Sequence, residues 1–281
     1  MNRWRELDPQ WRGRMENLEV DLPKWMDWIG QPNSPALGSQ LFDDDKLCSK
    51  WSVSQMAWQS LMSATDHLDM LSDSITHSGV RPIAQFTLAR AALFAGARAV
   101  WILGSDEQKV RQKHALWVAY EDFRYLRYDC EKLMSSSLGK KHTPETKAAY
   151  LAEAQALVDE VKEIARDKLE FRVGRGKDCE KIPDDTDIVD YAARYTDPED
   201  LGSGAALNHQ WRVNSGYAHG LGWPQLLAPA EVIETEDGKR FRRVVGDDES
   251  LAQGLAGAWL LTQRGFRLYW QRSTATTLLT S

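Results

Sequence analysis

Apolar residues recur at steps of three and four along most of this chain, and the breaks in that rhythm mark its elements. Residues 9 to 29 place Trp11, Met15, Leu18, Leu22, Trp25, Trp28 and Ile29 at helical spacing, with Pro23 expected to split the segment. GQPNSPALGS, from Gly30, has the composition of a loop. From Asp45 to about Thr76 the pattern of Trp51, Met56, Trp58, Leu61, Leu68, Leu71 and Ile75 predicts one long helix, since no proline interrupts it. After SGVRP, the run IAQFTLARAALFAGARAVWILG is apolar around most of its circumference and belongs at the centre of a bundle.

Ser105 and Asp106 are placed to cap a helix that runs through Val110, His114, Trp117 and Tyr125 toward Met134. Thr143-Pro144-Glu145 starts another, with Thr as cap and Pro as first residue, continuing through Leu157, Val161 and Leu169. Residues 172 to 186 read as a loop and DIVDYAARY as a short helix. A further helix is expected to end at Gly220 and Gly222, with Pro224 keeping the chain from resuming. EVIETEDGKRFRRVV places strand-forming residues around an Asp237-Gly238 turn, which signals a β-hairpin. Asp247-Asp248-Glu249 then opens a last helix toward Arg272. The fold class is all-α: six or seven helices with a small β-hairpin before the last. Residues 1–45 form a Trp-rich N-terminal helical extension, and 46–281 the main helical domain with its hairpin near 231–245.

Composition sharpens this picture. With 42% hydrophobic and 27% charged residues the chain is an ordinary soluble globular one, and its 12 tryptophans point to a substantial core or an aromatic interface. A formal net charge of −6 argues against coating nucleic acid by bulk electrostatics. The most concentrated positive charge is KRFRR at 239–243, which suits contact with RNA or a partner, or a solubilising hairpin. Cys48, Cys130 and Cys179 form no CxxC pair, so a reducing cytoplasm is expected, with neither disulfide framework nor cysteine zinc site. The N-terminus lacks a signal-type apolar core, and no run of about 18 apolar residues calls for a membrane. GRGK at 174–177 lacks the rest of a phosphate loop, and neither a dinucleotide fingerprint nor G-x-S-x-G is present, so no cofactor is expected. Asp66, Asp69 and Asp73 share a helix face near His67 and His77; without a recognised ligand spacing they read as a solvated acidic face, not a metal site.

Candidate chemistry concentrates in NHQWRVNSGYAHGLGW, Asn208 to Trp223. Positions 209, 212, 216 and 219 are separated by three, four and three residues, so His209, Arg212 and His219 share a helix face with Gly216 as a notch between them. That set suits a phosphate: Arg brings a permanent charge and forked donors, and His transfers protons near neutral pH. The competing reading is that a histidine near a helix C-terminus bonds the last free carbonyls. Arg90, on the apolar helix, requires a partner, either Asp66 or Asp69 or an anion site.

The order of ATDHLDML, LARAALFAGARAVWIL and RVNSGYAHG, with Arg212 and His219 in an R-x6-H arrangement, resembles the HEPN-like all-α superfamily. The likeness is to an uncharacterised bacterial branch with an S-G-x-x-H-G element and spans roughly residues 50 to 225. It implies a HEPN-like domain within 46–281 and a metal-independent endoribonuclease in a toxin or phage-defence setting. It also implies a homodimer whose arginine and histidine meet across the interface. Arg212 would bind the scissile phosphate and His219 transfer the proton, with His209, Asn214, Ser215, Tyr217 and Arg90 as substrate-binding candidates. RNA and an antitoxin or other protein are the partners implied. Val213, Leu221 and Phe94 depart from the family's pattern. The alternative from another class is a non-catalytic protein-binding or scaffold protein, acting through the Trp-rich N-terminal region or the basic hairpin.

Overall fold

The computed structural model describes residues 9–81, 83–196, 202–244 and 248–275, apart from the side chains of Gln10, Trp11 and Arg242. The expectations for Trp11, for Asp247 as a cap and for residue 245 in the hairpin lie outside the described residues. Within them the periodic segments form ten α-helices: α1 Pro9–Ile29, α2 Gln40–Asp45, α3 Val53–Ser78, α4 Ala84–Leu103, α5 Gln108–Ser135, α6 Pro144–Leu169, α7 Asp185–Thr196, α8 Ser203–Ala218, α9 Trp223–Leu227 and α10 Asp248–Ser273. One two-stranded antiparallel sheet, β1 Ala230–Glu234 with β2 Arg240–Val244, precedes α10. The class is all-α with a small hairpin, and the described residues hold ten α-helices, more than the six or seven expected, with α2 and α9 the shortest.

Three local expectations are corrected. Pro23 lies inside an unbroken α1, because burial of Met15, Leu18, Leu22 and Trp25 along one face holds the helix together despite the lost hydrogen bond. The helix expected from Asp45 begins at Val53. Asp45 is instead used for capping: its carboxylate accepts from the Ser54 N–H at 2.9 Å and the Ser54 hydroxyl at 2.5 Å. Pro224 does not stop the chain from resuming helix but sits in the first turn of α9, where its missing N–H costs nothing.

Contacts divide the chain into two units that interleave along the sequence: Met1–Ser34, Ala57–Gly104 and Asp185–Gln271 in the first, Pro35–Met56, Ser105–Asp184 and Arg272–Ser281 in the second. In the first unit α4 packs against α7 and α8. A Cβ added to Gly96 of α4 would stand 3.0 Å from the backbone of Thr262, so glycine permits the close approach of α10. Tryptophans of the N-terminal helix enter this core. Trp25 stacks on Phe266 at 5.4 Å, Trp28 meets Phe266 and Trp270 edge-on, and Trp58 lies 4.8 Å from Tyr269. Among the described residues α4 is the one helix long and apolar enough to cross a membrane, and 67% of that stretch is buried in protein.

The second unit joins α5 to α6 and is tied by a buried ion pair. Arg111 donates to both oxygens of Asp44 at 2.7 and 2.9 Å and to the carbonyls of Ser105 and Asp106. Burial raises the Asp44 carboxyl above its ordinary range against the lowering pull of Arg111. Arg272, only 2% exposed, reaches Gln40 and Asp106 in the same unit.

In the hairpin, Gly238 adopts φ +77° in the expected turn. Glu231 pairs with Arg243 at 2.6 Å, Glu234 with Arg240 at 3.5 Å and Asp237 with Lys239 at 2.6 Å. Three of the four KRFRR cations are therefore neutralised from within the hairpin.

Candidate functional site

Helix α8 buries Gly204, Leu207, Trp211, Asn214 and Tyr217 along the face that packs on α4 and α7. Its C-terminus closes as a Schellman motif. Gly220, at φ +67°, donates to the Tyr217 carbonyl at 3.0 Å and Leu221 to the Gly216 carbonyl at 2.9 Å, while the His219 N–H reaches Ser215 O. Terminal carbonyls that a histidine ring would otherwise cap are thus satisfied by backbone, and the His219 side chain is left at the surface.

His209, Arg212 and His219 are all exposed, and none makes a side-chain hydrogen bond or ion pair among the described residues. They share the solvent side of α8 as the spacing requires. The expected notch between them is filled. Gly216 is buried, and a Cβ placed on it would overlap Pro224 Cγ and stand 3.2 Å from the Trp223 ring, so α9 folds back over this position. Glycine here makes room for α9, not for a ligand.

Arg90 is brought to the same helix. Its Nε donates to Ser215 Oγ at 3.0 Å, its guanidinium lies 4.6 Å from the centre of the Trp211 ring, and its ion-pair partner is Asp185 at 3.9 Å. The expected partners Asp66 and Asp69 are replaced by Asp185, because Arg90 points across the contact of α4 with α7 and α8. Arg90 and Ser215 therefore meet, whereas Asn214 and Tyr217 point inward. Tyr217 stacks on Phe86 at 4.6 Å and donates its hydroxyl to Pro224 O at 3.3 Å. Asn214 is fully buried, and among the described residues neither end of its amide has a hydrogen-bond partner, a costly arrangement for a polar group.

On α3, Asp69 has its carboxyl raised first by burial and then by the negative charges of Asp73 and Asp66. His67 and His77 bond their own helix through Nδ1 to the carbonyls of Ser63 and Asp73. Among the described residues no three His, Cys, Asp or Glu side chains converge as a metal site would require.

Arg14 of α1 and Gln210 and Gln253 of the α8 and α10 helices, with His209, line a groove of about 320 Å³ that the sequence does not announce. Its residues lie on three separate elements, and Arg14 looks like any solvated charge on an amphipathic helix. No family model, curated protein or solved structure matches the chain, so the chemistry of the site rests on its own residues.

Proposed function

We propose that this chain is a cytoplasmic, HEPN-like, metal-independent endoribonuclease, working as a homodimer in a toxin or phage-defence setting. The observation that carries the reading is the availability of Arg212 and His219: both are exposed and unpaired on one face of a helix whose neighbouring residues are committed to the core. In the reaction the His219 imidazole takes the proton of a ribose 2′-OH, whose oxygen attacks the adjacent phosphorus. The bond from phosphorus to the 5′ oxygen breaks, that oxygen takes a proton from a water molecule as it leaves, and the imidazolium returns its proton to the resulting hydroxide, giving a 2′,3′-cyclic phosphate and a 5′-hydroxyl. Arg212 clasps the non-bridging oxygens as their charge grows, with a fork of donors matched to them.

Helix geometry supports the dimer. Arg212 and His219 stand seven positions apart, roughly 10 Å along the axis. Two α8 helices packed antiparallel about a twofold axis would bring the arginine of one beside the histidine of the other. Next to them Leu221, Trp223, Leu226 and Leu227 are exposed, the last two by 68% and 63%. An apolar surface of this kind beside the site suits a second copy of the chain.

A second reading, non-catalytic protein binding, is favoured by the hairpin. Val232 and Phe241 lie on opposite faces of it and are 70% and 54% exposed, so among the described residues each face leaves a large apolar side chain open to solvent. An antitoxin or scaffold partner would cover that surface. The N-terminal tryptophans Trp25 and Trp28 support this reading less, since they pack on Phe266. Cleavage of RNA with divalent metals chelated, compared with and without His219, separates the two readings.

A further inference from the structure

Helices α5 and α6 pack on each other as a hairpin, and toward its turn that hairpin has little core. From Glu121 onward α5 buries only Met134, and α6 buries nothing before Ala154. The connection is nonetheless tightly built. Ser136 Oγ donates to the Leu133 carbonyl at 2.7 Å and accepts from the Leu138 and Gly139 N–H groups at 3.2 and 3.4 Å. Gly139 opens a single 3₁₀ turn, Gly139–Lys141, so close to the end of α5 that a Cβ on it would overlap the Met134 carbonyl. This arrangement displays Leu138, 59% exposed, together with Leu133 of the last α5 turn at 40%.

Four lysines belong to the same end. Lys132 lies in the last turn of α5, Lys140 and Lys141 in the 3₁₀ turn, and Lys147 near the start of α6. Lys132 sits over the Tyr128 ring at 5.2 Å, and among the described residues none of the four ammonium groups has an ion-pair partner. Between Lys132 and Tyr150 the one carboxylate is Glu145. Its own backbone N–H and the Thr143 hydroxyl hold that carboxyl below the ordinary range, so it serves the helix start and pairs with none of the lysines.

We propose that this end of the α5–α6 hairpin docks on the surface of a bilayer that contains anionic lipid. Surface docking needs no membrane-spanning helix, and it goes beyond the ribonuclease reading without resting on it. The fit is one of charge and depth. Leu133 and Leu138 enter the acyl boundary, while the lysine stems lie along apolar surface and carry their ammonium groups to the lipid phosphates. Tyr128 and Tyr150, both exposed, stand about two turns back on their helices, roughly 10 Å from the end, where amphipathic rings favour the headgroup level. The cytoplasmic leaflet is the anionic one, and each lysine close to it strengthens attachment about fivefold. RNA fits this surface less well. Lys132 covers the Tyr128 ring on which a base would stack, and a polyanionic strand leaves both leucines in water.

Co-sedimentation of the full-length protein with lipid vesicles is the test. Vesicles of phosphatidylcholine mixed with phosphatidylglycerol are expected to bind it at least about tenfold more tightly than phosphatidylcholine alone, and added salt is expected to weaken the attachment. Lys140→Ala with Lys141→Ala, and separately Leu138→Ser, alter exposed side chains and leave the Ser136 hydrogen bonds in place. The double lysine variant is expected to bind anionic vesicles about twentyfold more weakly, and Leu138→Ser about tenfold. Circular dichroism checks that each variant is folded. No binding to anionic vesicles, equal binding to neutral ones, or undiminished binding by either folded variant would overturn the docking surface. A protein that ignores vesicles, and whose lysine variant loses affinity for an oligouridylate probe, would overturn it as well and assign this end to RNA. RNA cleavage is scored separately. Vesicle binding by a protein that cuts no RNA upholds the docking surface and sinks the nuclease, while cleavage without vesicle binding does the reverse.

Discussion

Arg90 on α4 donates to Ser215 on α8 at 3.0 Å across 125 residues of sequence, and the same guanidinium covers the Trp211 ring at 4.6 Å. Helix α8 is therefore anchored by a cation from α4, at the edge of the face it packs against α4 and α7. Arg90→Leu removes one charge-assisted hydrogen bond, one cation–π contact and the 3.9 Å ion pair with Asp185, all partly exposed to solvent. It is expected to lower unfolding stability by about 1–2 kcal/mol. Urea unfolding followed by tryptophan fluorescence measures this, and an unchanged midpoint would show that the contact contributes nothing.

Asp44 and Arg111 are almost wholly buried in the second unit, at 0% and 3% side-chain exposure. Arg111→Ala strands the carboxylate without its partner and is expected to cost about 3–5 kcal/mol. Replacing both, as Asp44→Leu with Arg111→Met, is expected to recover most of that loss, because the desolvation of two charges disappears with the pair. Thermal unfolding of the single and double variants decides it. A double variant no more stable than Arg111→Ala would contradict the assignment.

Asp69 gives a pH dependence with a definite sign. Its carboxyl is raised by burial and by Asp73 and Asp66, so the folded chain holds that proton more tightly than the unfolded chain. The stability this group contributes is present at low pH and is lost as pH rises through the folded-state value. Asp69→Asn is expected to flatten that decline just above the ordinary aspartate range, about pH 4. Melting temperatures across the acid range would show it, and parallel curves for the two proteins would refute it.

Periodicity made the long helices legible because each buries an apolar face at a constant spacing, as α4 and α10 do. Local chemistry gave two boundaries directly: Thr143 caps α6 by accepting from Thr146 N–H, and Gly238 makes the hairpin turn. Boundaries set by other elements stayed hidden. The capping role of Asp45, the passage of α1 through Pro23 and the folding of α9 onto Gly216 each depend on surroundings that no local window contains. In the site, the shared face of His209, Arg212 and His219 follows from spacing alone. The inward turn of Asn214 and Tyr217, the Asp185 partner of Arg90 and the Arg14 groove depend on how helices pack.

If the site is shared between two copies, variants in different halves of it complement each other. Arg212→Ala and His219→Ala proteins, each inactive alone, are expected on mixing and subunit exchange to recover about one quarter of wild-type cleavage, since half the dimers are mixed and each has one intact site. No recovery despite proven exchange would place both residues in one chain's site, or in none.

The most direct measurement is cleavage of diverse single-stranded RNAs by the purified protein in EDTA. Wild-type protein is expected to produce fragments ending in 2′,3′-cyclic phosphate and 5′-hydroxyl. His219→Ala and Arg212→Ala, both folded, are each expected to lower the rate at least about a hundredfold. Cleavage that persists undiminished in both variants, or a wild-type protein inert on every RNA, would contradict the account.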